Sequence, residues 1–176
     1  MANSSQDFWE FSVHLYSSPE VSAACLDLQN QHGIDVNLLL LCCWCGARGA
    51  ELSETSLSQS IAYSRKWAEQ VIKPLRQTRI WMKSNIPSDQ NQQLGFQEVR
   101  REIKTVELSA EKHQQSVLEK IVLSQPDSGA KISPKEAIEQ NVLDLINQTA
   151  VSYTHLTLPT KRISFSYVLS RHIKHT

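Results

Sequence analysis

Between Asn37 and Gly46 the chain reads Leu-Leu-Leu-Leu-Cys-Cys-Trp-Cys, eight apolar residues without interruption. A segment with no polar face has to be enclosed on every side, either in the middle of a core or within a lipid bilayer. Eight residues are far short of the roughly 20 that a helix needs to cross a membrane. The flanks indicate how the run is built. Asp35 can cap a helix, its carboxylate accepting the free amides of the first turn and complementing the positive helix end. Beyond the run, Gly46-Ala-Arg-Gly49 supplies residues able to adopt the left-handed conformation in which helices end. The run is therefore expected to be a central helix surrounded by other helices.

The remaining pattern is also helical. Asp7 is placed to cap a helix carrying Phe8, Phe11, Leu15 and Tyr16 at three- and four-residue spacing. Ser18-Pro19 starts a second helix with Val21, Ala24, Cys25 and Leu28 inward, ended by Gly33. A short turn is expected around Leu57 to Ala62, then a helix over 64–84 with Pro74 bending it. Steps of about 100° put Ala68, Val71, Ile72, Leu75 and Met82 on one face of that helix, and Arg65, Lys73, Arg76 and Lys83 on the other. Arg79 falls near the apolar stripe, where it has to snorkel or meet a carboxylate. A polar loop over 86–95 leads to a long helix over 96–124, with Val99, Ile103, Val106, Ala110, Val117 and Ile121 repeating near 3.5 residues and His113 on the same stripe. Ser133-Pro134-Lys135-Glu136 opens a last helix through Leu145 with a capping box. The expected fold is all-α: a compact bundle of about five or six helices around the buried one, with residues 1–150 as a single domain.

From Val151 the pattern changes to alternation, with four Lys/Arg and no acid, whereas residues 1–150 hold 14 Lys/Arg against 18 Asp/Glu. With no other strand pattern to pair with, residues 151–176 are expected to form a poorly ordered tail. The stretch from Val151 to Ile163 also resembles a peptide found at the ends of unrelated conceptual translations, produced by read-through into a sequencing-library adapter. The N-terminus has neither the basic residue nor the apolar stretch of a signal peptide, so export is not expected. Cys25, Cys42, Cys43 and Cys45 fall in segments that read as buried helix, three of them within four residues, which suits free thiols in a reducing cytoplasm better than disulfides.

Little in the sequence carries chemistry. Cys42 and Cys45 form a Cys-x-x-Cys, but at the C-terminal end of their helix, away from the dipole that would activate a thiolate, and without two further zinc ligands at a recognised spacing. No catalytic residue, metal site or cofactor is assigned. The basic helix over 65–83, with Trp67 nearby, could meet a polyanion, yet residues 1–54 hold seven acids and one Arg and complement it within the fold or across a homodimer. The expected role is an interaction or regulatory module with a protein partner and no membrane association. A nucleic-acid or ribosome-associated binder and a small-molecule enzyme are the alternatives.

Phe8-Trp9-x-Phe11-Ser12, the segment from Gly33 to Leu40, Gly46-Ala-Arg-Gly49, Trp67 and Pro74-Leu75-Arg76 together resemble a bacterial family known as domain of unknown function 2390, over about residues 8–124. The resemblance implies a cytoplasmic helical protein and adds no reaction. Within these motifs Asp35, Asn37 and Arg48 bracket the buried helix, and Arg76 follows the proline. Capping plus a buried Asp–Arg pair accounts for them, as would a small anion or partner peptide held by Arg48, Arg76 and the amides beside Asp35. With Trp67, Lys73 and Arg79 they form the candidate binding set.

Overall fold

The structure, a computed structural model, describes residues 7–125 and 132–150. These form α1 (Phe8–Tyr16), α2 (Pro19–His32), α3 (Val36–Ala47), α4 (Glu54–Trp67), a π turn (Ala68–Ile72), α5 (Lys73–Ser84), α6 (Gln90–Leu123) and α7 (Pro134–Ala150), with no strand among the described residues. Because α4, the π turn and α5 follow one another without a break, the described residues form six rods. The alternating segment beyond Ala150 lies outside the described residues.

The caps read from the sequence are in place. Asp7 accepts the Glu10 amide at 2.7 Å, Asp35 accepts the Asn37 amide at 2.8 Å, and Gly33 ends α2 with φ of 64°. Every residue of α3 from Leu38 to Ala47 is buried, and one core cluster joins it to residues from Phe8 in α1 to Ile146 in α7. The apolar run is thus the central helix, enclosed on all sides.

Its main partner is α7, and the approach is close. A Cβ on Gly46 would lie 2.5 Å from Ile138 Cγ1 and 2.7 Å from Ile138 Cα, so this helical glycine is a packing requirement. Gly49, at φ of 73°, supplies the left-handed turn. Buried Asn141 then serves the chain leaving α3: its Oδ1 accepts the Leu52 amide at 2.8 Å, and its Nδ2 donates to the Ala50 carbonyl at 3.0 Å. A buried helix end needs such partners for its backbone groups.

Three sequence expectations are corrected. The segment around Leu57 to Ala62 lies within α4, which starts at Ser53 with a side-chain cap to Ser56 at 3.1 Å; Ser56, Ser60 and Ser64, four apart, form its buried face. The loop over 86–95 is shorter, because Asp89 caps α6 by accepting the Asn91 amide at 2.9 Å. On α6 the inward residues are Glu107, Ala110, Gln114, Gln115 and Leu118, whereas Val99 and Val106 are exposed. His113 is likewise exposed, resting against Trp67 at 4.9 Å between ring centroids.

Gly46→Ala is expected to lose about 1–3 kcal/mol through overpacking, seen as a lower urea midpoint. Gly95→Ala, with nothing within 4 Å of the added methyl, is expected to gain about 0.5–1 kcal/mol, the usual cost of glycine inside a helix.

Candidate functional site

The N-terminal end of α3 opens into a cavity of about 1140 Å³. Residues of α1, α2, α3 and the end of α7 line it, together with α4, the π turn, α5 and α6. A space of this size exceeds what a few ordered waters fill and is at the upper end of ligand pockets.

Its floor is a chain of hydrogen bonds whose direction is set by one group. The Asp35 carboxylate can only accept. Having capped Asn37 with Oδ1, it accepts at Oδ2 from the Ser64 hydroxyl and from Gln114 Nε2 at 3.0 Å. Gln114 Nε2 also donates to Ser64 Oγ at 2.5 Å. The amide of Gln114 is therefore oriented with its oxygen away from Asp35, and that oxygen accepts Asn37 Nδ2 at 2.6 Å. Asn37 is oriented in turn, and its Oδ1 accepts Gln115 Nε2 at 2.8 Å. The chain ends on Gln115 Oε1, a buried acceptor without a partner among the described residues. Ser12 Oγ, buried on the facing wall, is also without one.

Beside this floor α5 and α6 are joined by ion pairs. Glu107, its side chain 7% exposed, receives Arg79 Nε at 2.5 Å and Arg76 Nε at 2.9 Å, and Arg76 Nη2 reaches Glu111 at 2.7 Å. Burial by itself would raise the Glu107 pKa, but the hydrogen bonds and charges of Arg79 and Arg76 outweigh it and hold the carboxyl below its ordinary value. At Glu111 burial dominates, Arg76 offsets it only in part, and the pKa is raised.

The π turn makes this pairing possible. Pro74 has no amide to donate to the carbonyl four residues back. The helix accommodates this with a wider turn in which the Lys73 amide bonds to the Ala68 carbonyl, five residues back. Such a turn carries one extra residue, which rotates everything after it by about 100° relative to a regular helix. Ile72, Arg76 and Arg79 consequently continue the face begun by Ser56, Ser60 and Ser64 and meet α6. Periodicity without the wide turn puts Arg76 on the solvent side.

Of the seven candidate residues, five come together: Asp35 and Asn37 on the floor, Lys73, Arg76 and Arg79 on the wall. Arg48 is at the far end of α3, about 18 Å along a helix of this length, lying over the Trp44 ring at 4.8 Å. No Asp–Arg pair forms at Asp35 among the described residues. Trp67 does not line the cavity; its Nε1 donates to the Ala110 carbonyl at 3.0 Å. Ser12, Ser64, Glu107, Glu111, Gln114 and Gln115 belong to the site and are missed by the sequence reading. The available signal was four polar residues on one face of α6, at 107, 111, 114 and 115, a spacing that ordinarily marks a solvated stripe.

All four cysteines are buried free thiols. Burial raises the Cys25 pKa to about 12 and pushes Cys42 and Cys43 well above the ordinary value, so Cys42, the first cysteine of the Cys-x-x-Cys, is not set up as a thiolate. Among the described residues there is no cluster of His, Cys, Asp and Glu that could hold a metal ion, and no helix long and apolar enough to cross a membrane.

Residues 7–118 match the model of a family described as a protein of unknown function, DUF2390. No curated protein and no solved structure matches the chain.

Glu107→Gln leaves two guanidiniums facing a neutral amide. With Arg76 and Arg79 still 30% and 25% exposed, the expected loss is about 2–3 kcal/mol, below the range for a fully buried broken pair. Because the folded pKa of Glu107 is lowered, its stabilisation is complete above the ordinary carboxylate range and is lost as pH falls through that range toward the folded value. The difference between the wild type and the variant in chemical denaturation should therefore shrink below about pH 4. A thiol reagent at about pH 8 should modify none of the four cysteines until the chain is unfolded.

Proposed function

For a chain that belongs to the DUF2390 family of unknown function, we propose a role as a non-catalytic interaction module that receives a segment of a partner protein in the groove at the N-terminus of α3. The observation that carries this reading is the cavity of about 1140 Å³ over a floor whose polar groups are locked to one another. General acid–base or nucleophilic work needs a group free to exchange a proton or attack. Here Asp35 is occupied by three donors, Glu107 by two guanidiniums, and the thiols are buried. A rigid floor beneath walls that carry both apolar and charged side chains is instead suited to holding a shape.

The nucleic-acid alternative loses two of its cations, since Arg76 and Arg79 are committed to Glu107 and Glu111. The shared core from Phe8 to Ile146 supports treating residues 1–150 as one helical domain, and the four free thiols support residence in the cytoplasm. Pairing with a second copy of the chain would be the homomeric form of the same role.

The test is capture from cells by the tagged full chain, compared with Val13→Asp and Leu108→Asp, which charge the two groove walls, and with Leu123→Asp, an exposed residue outside the lining. A protein retained by the wild type and by the Leu123 variant, lost with both groove variants, and bound directly when purified is the expected outcome. Equal recovery by all four chains would remove the groove from the reading.

A further inference from the structure

Resting on that docking reading, we infer that the segment received by the groove is acidic and amphipathic, with carboxylates that meet Arg65, Lys73 and Lys104 while its apolar side chains cover Val13, Leu26 and Leu108. The lining divides its cations into two kinds. Arg76 and Arg79 are neutralised inside the wall by Glu107 and Glu111. Arg65 on α4, Lys73 on α5 and Lys104 on α6 line the same space and meet no carboxylate among the described residues. Against these three cations stands one unmatched carboxylate, Glu69, and an excess of unmatched positive charge around a groove steers and orients a partner of the opposite sign.

The apolar part points the same way. Val13, Leu26 and Leu108 line the groove on both sides and remain 53%, 44% and 53% exposed. Covering them recovers hydrophobic free energy that the isolated chain leaves unused. The three free cations sit on three different helices, so one carboxylate on a small amphiphile would engage only one of them, whereas a peptide can carry several. Gln115 Oε1 adds polarity: the orientation imposed from Asp35 leaves an acceptor at the wall, matched by an N–H donor on the incoming chain. A phosphate backbone fits less well, because the apolar flanks would find nothing on it to cover.

The probe is a random peptide library displayed on phage and selected on the full chain, with selected peptides synthesised and mapped by amide and side-chain NMR shifts. Selected peptides are expected to interleave Asp or Glu with apolar residues and to shift the Trp9 indole and Gln115 amide signals, both from groove residues. They should bind about tenfold or more weakly to the Lys73→Glu/Lys104→Glu double variant, a loss of about 1.4 kcal/mol. The neutral Lys73→Ser/Lys104→Ser pair should fall between the two. Peptides that seat in the groove without acidic enrichment, or whose affinity ignores charge reversal, would overturn the inference and leave the docking reading standing. Displacement of the peptide by single-stranded RNA would also overturn it, in favour of a polyanion. Failure to select any peptide, or peptides that map outside the groove, would sink the docking reading itself.

Discussion

A helix that is apolar on every side has no solvent face, so its two ends become the places where a buried backbone must be reconciled with its need for hydrogen bonds. In this protein α3 is that helix, and each end has its own device. At the C-terminal end Asn141 of α7 takes the Leu52 amide and gives to the Ala50 carbonyl. At the N-terminal end Asp35 caps, and then needs partners for its remaining lone pairs, which Ser64 and Gln114 supply. The groove is thus a consequence of enclosure: the polar groups that end α3 are gathered where α1, α4 and α6 converge on it.

The wide turn before α5 links local backbone chemistry to this site. Proline at position 74 denies one carbonyl its usual amide, the helix answers with a turn of longer period, and the inward face of everything downstream advances by one residue. Arg76 thereby joins Arg79 on the side facing α6. Glu107 is then less a bridge between two surface charges than a buried anion that needs both of them. Removing a carboxylate from water is costly, and only multiple donors at short distance offset it. Because neither guanidinium is fully buried, the cluster keeps contact with the groove while fixing the angle between α5 and α6.

Much of the architecture was legible in the sequence because it depends on local rules. Asp7, Asp35 and Gly33 cap the helices they were expected to cap, and the burial of Leu38 to Cys45 follows from composition alone. What was not legible shares one cause. Periodicity treats polar residues as outward and helices as regular, and both assumptions fail around the groove. Gln114 and Gln115 are inward because Asp35 and Asn37 need them, a requirement arising 77 to 79 residues away in the chain. Arg76 is inward because of the wide turn. Gly46, read as part of a helix end, is instead small because α7 crosses there, which no local pattern near Gly46 could reveal.

The same geometry separates what the site needs from what the core needs. Asp35, Asn37, Ser64, Arg76, Arg79, Glu107, Glu111, Gln114 and Gln115 all fall within the stretch matched by the family model, whereas α7 lies beyond it. What α7 contributes is different in kind: Ile138, Val142, Leu145 and Ile146 cover the flank of α3 that carries Cys42 and Gly46, and Asn141 closes the exit of the chain. Without that cover the most apolar helix of the molecule would be open to water along one side, and a relay anchored on its first turn would have nothing rigid beneath it. The groove is therefore built mostly by the matched stretch and held in register by α7, whose Leu145, Ile146 and Thr149 also reach its lining.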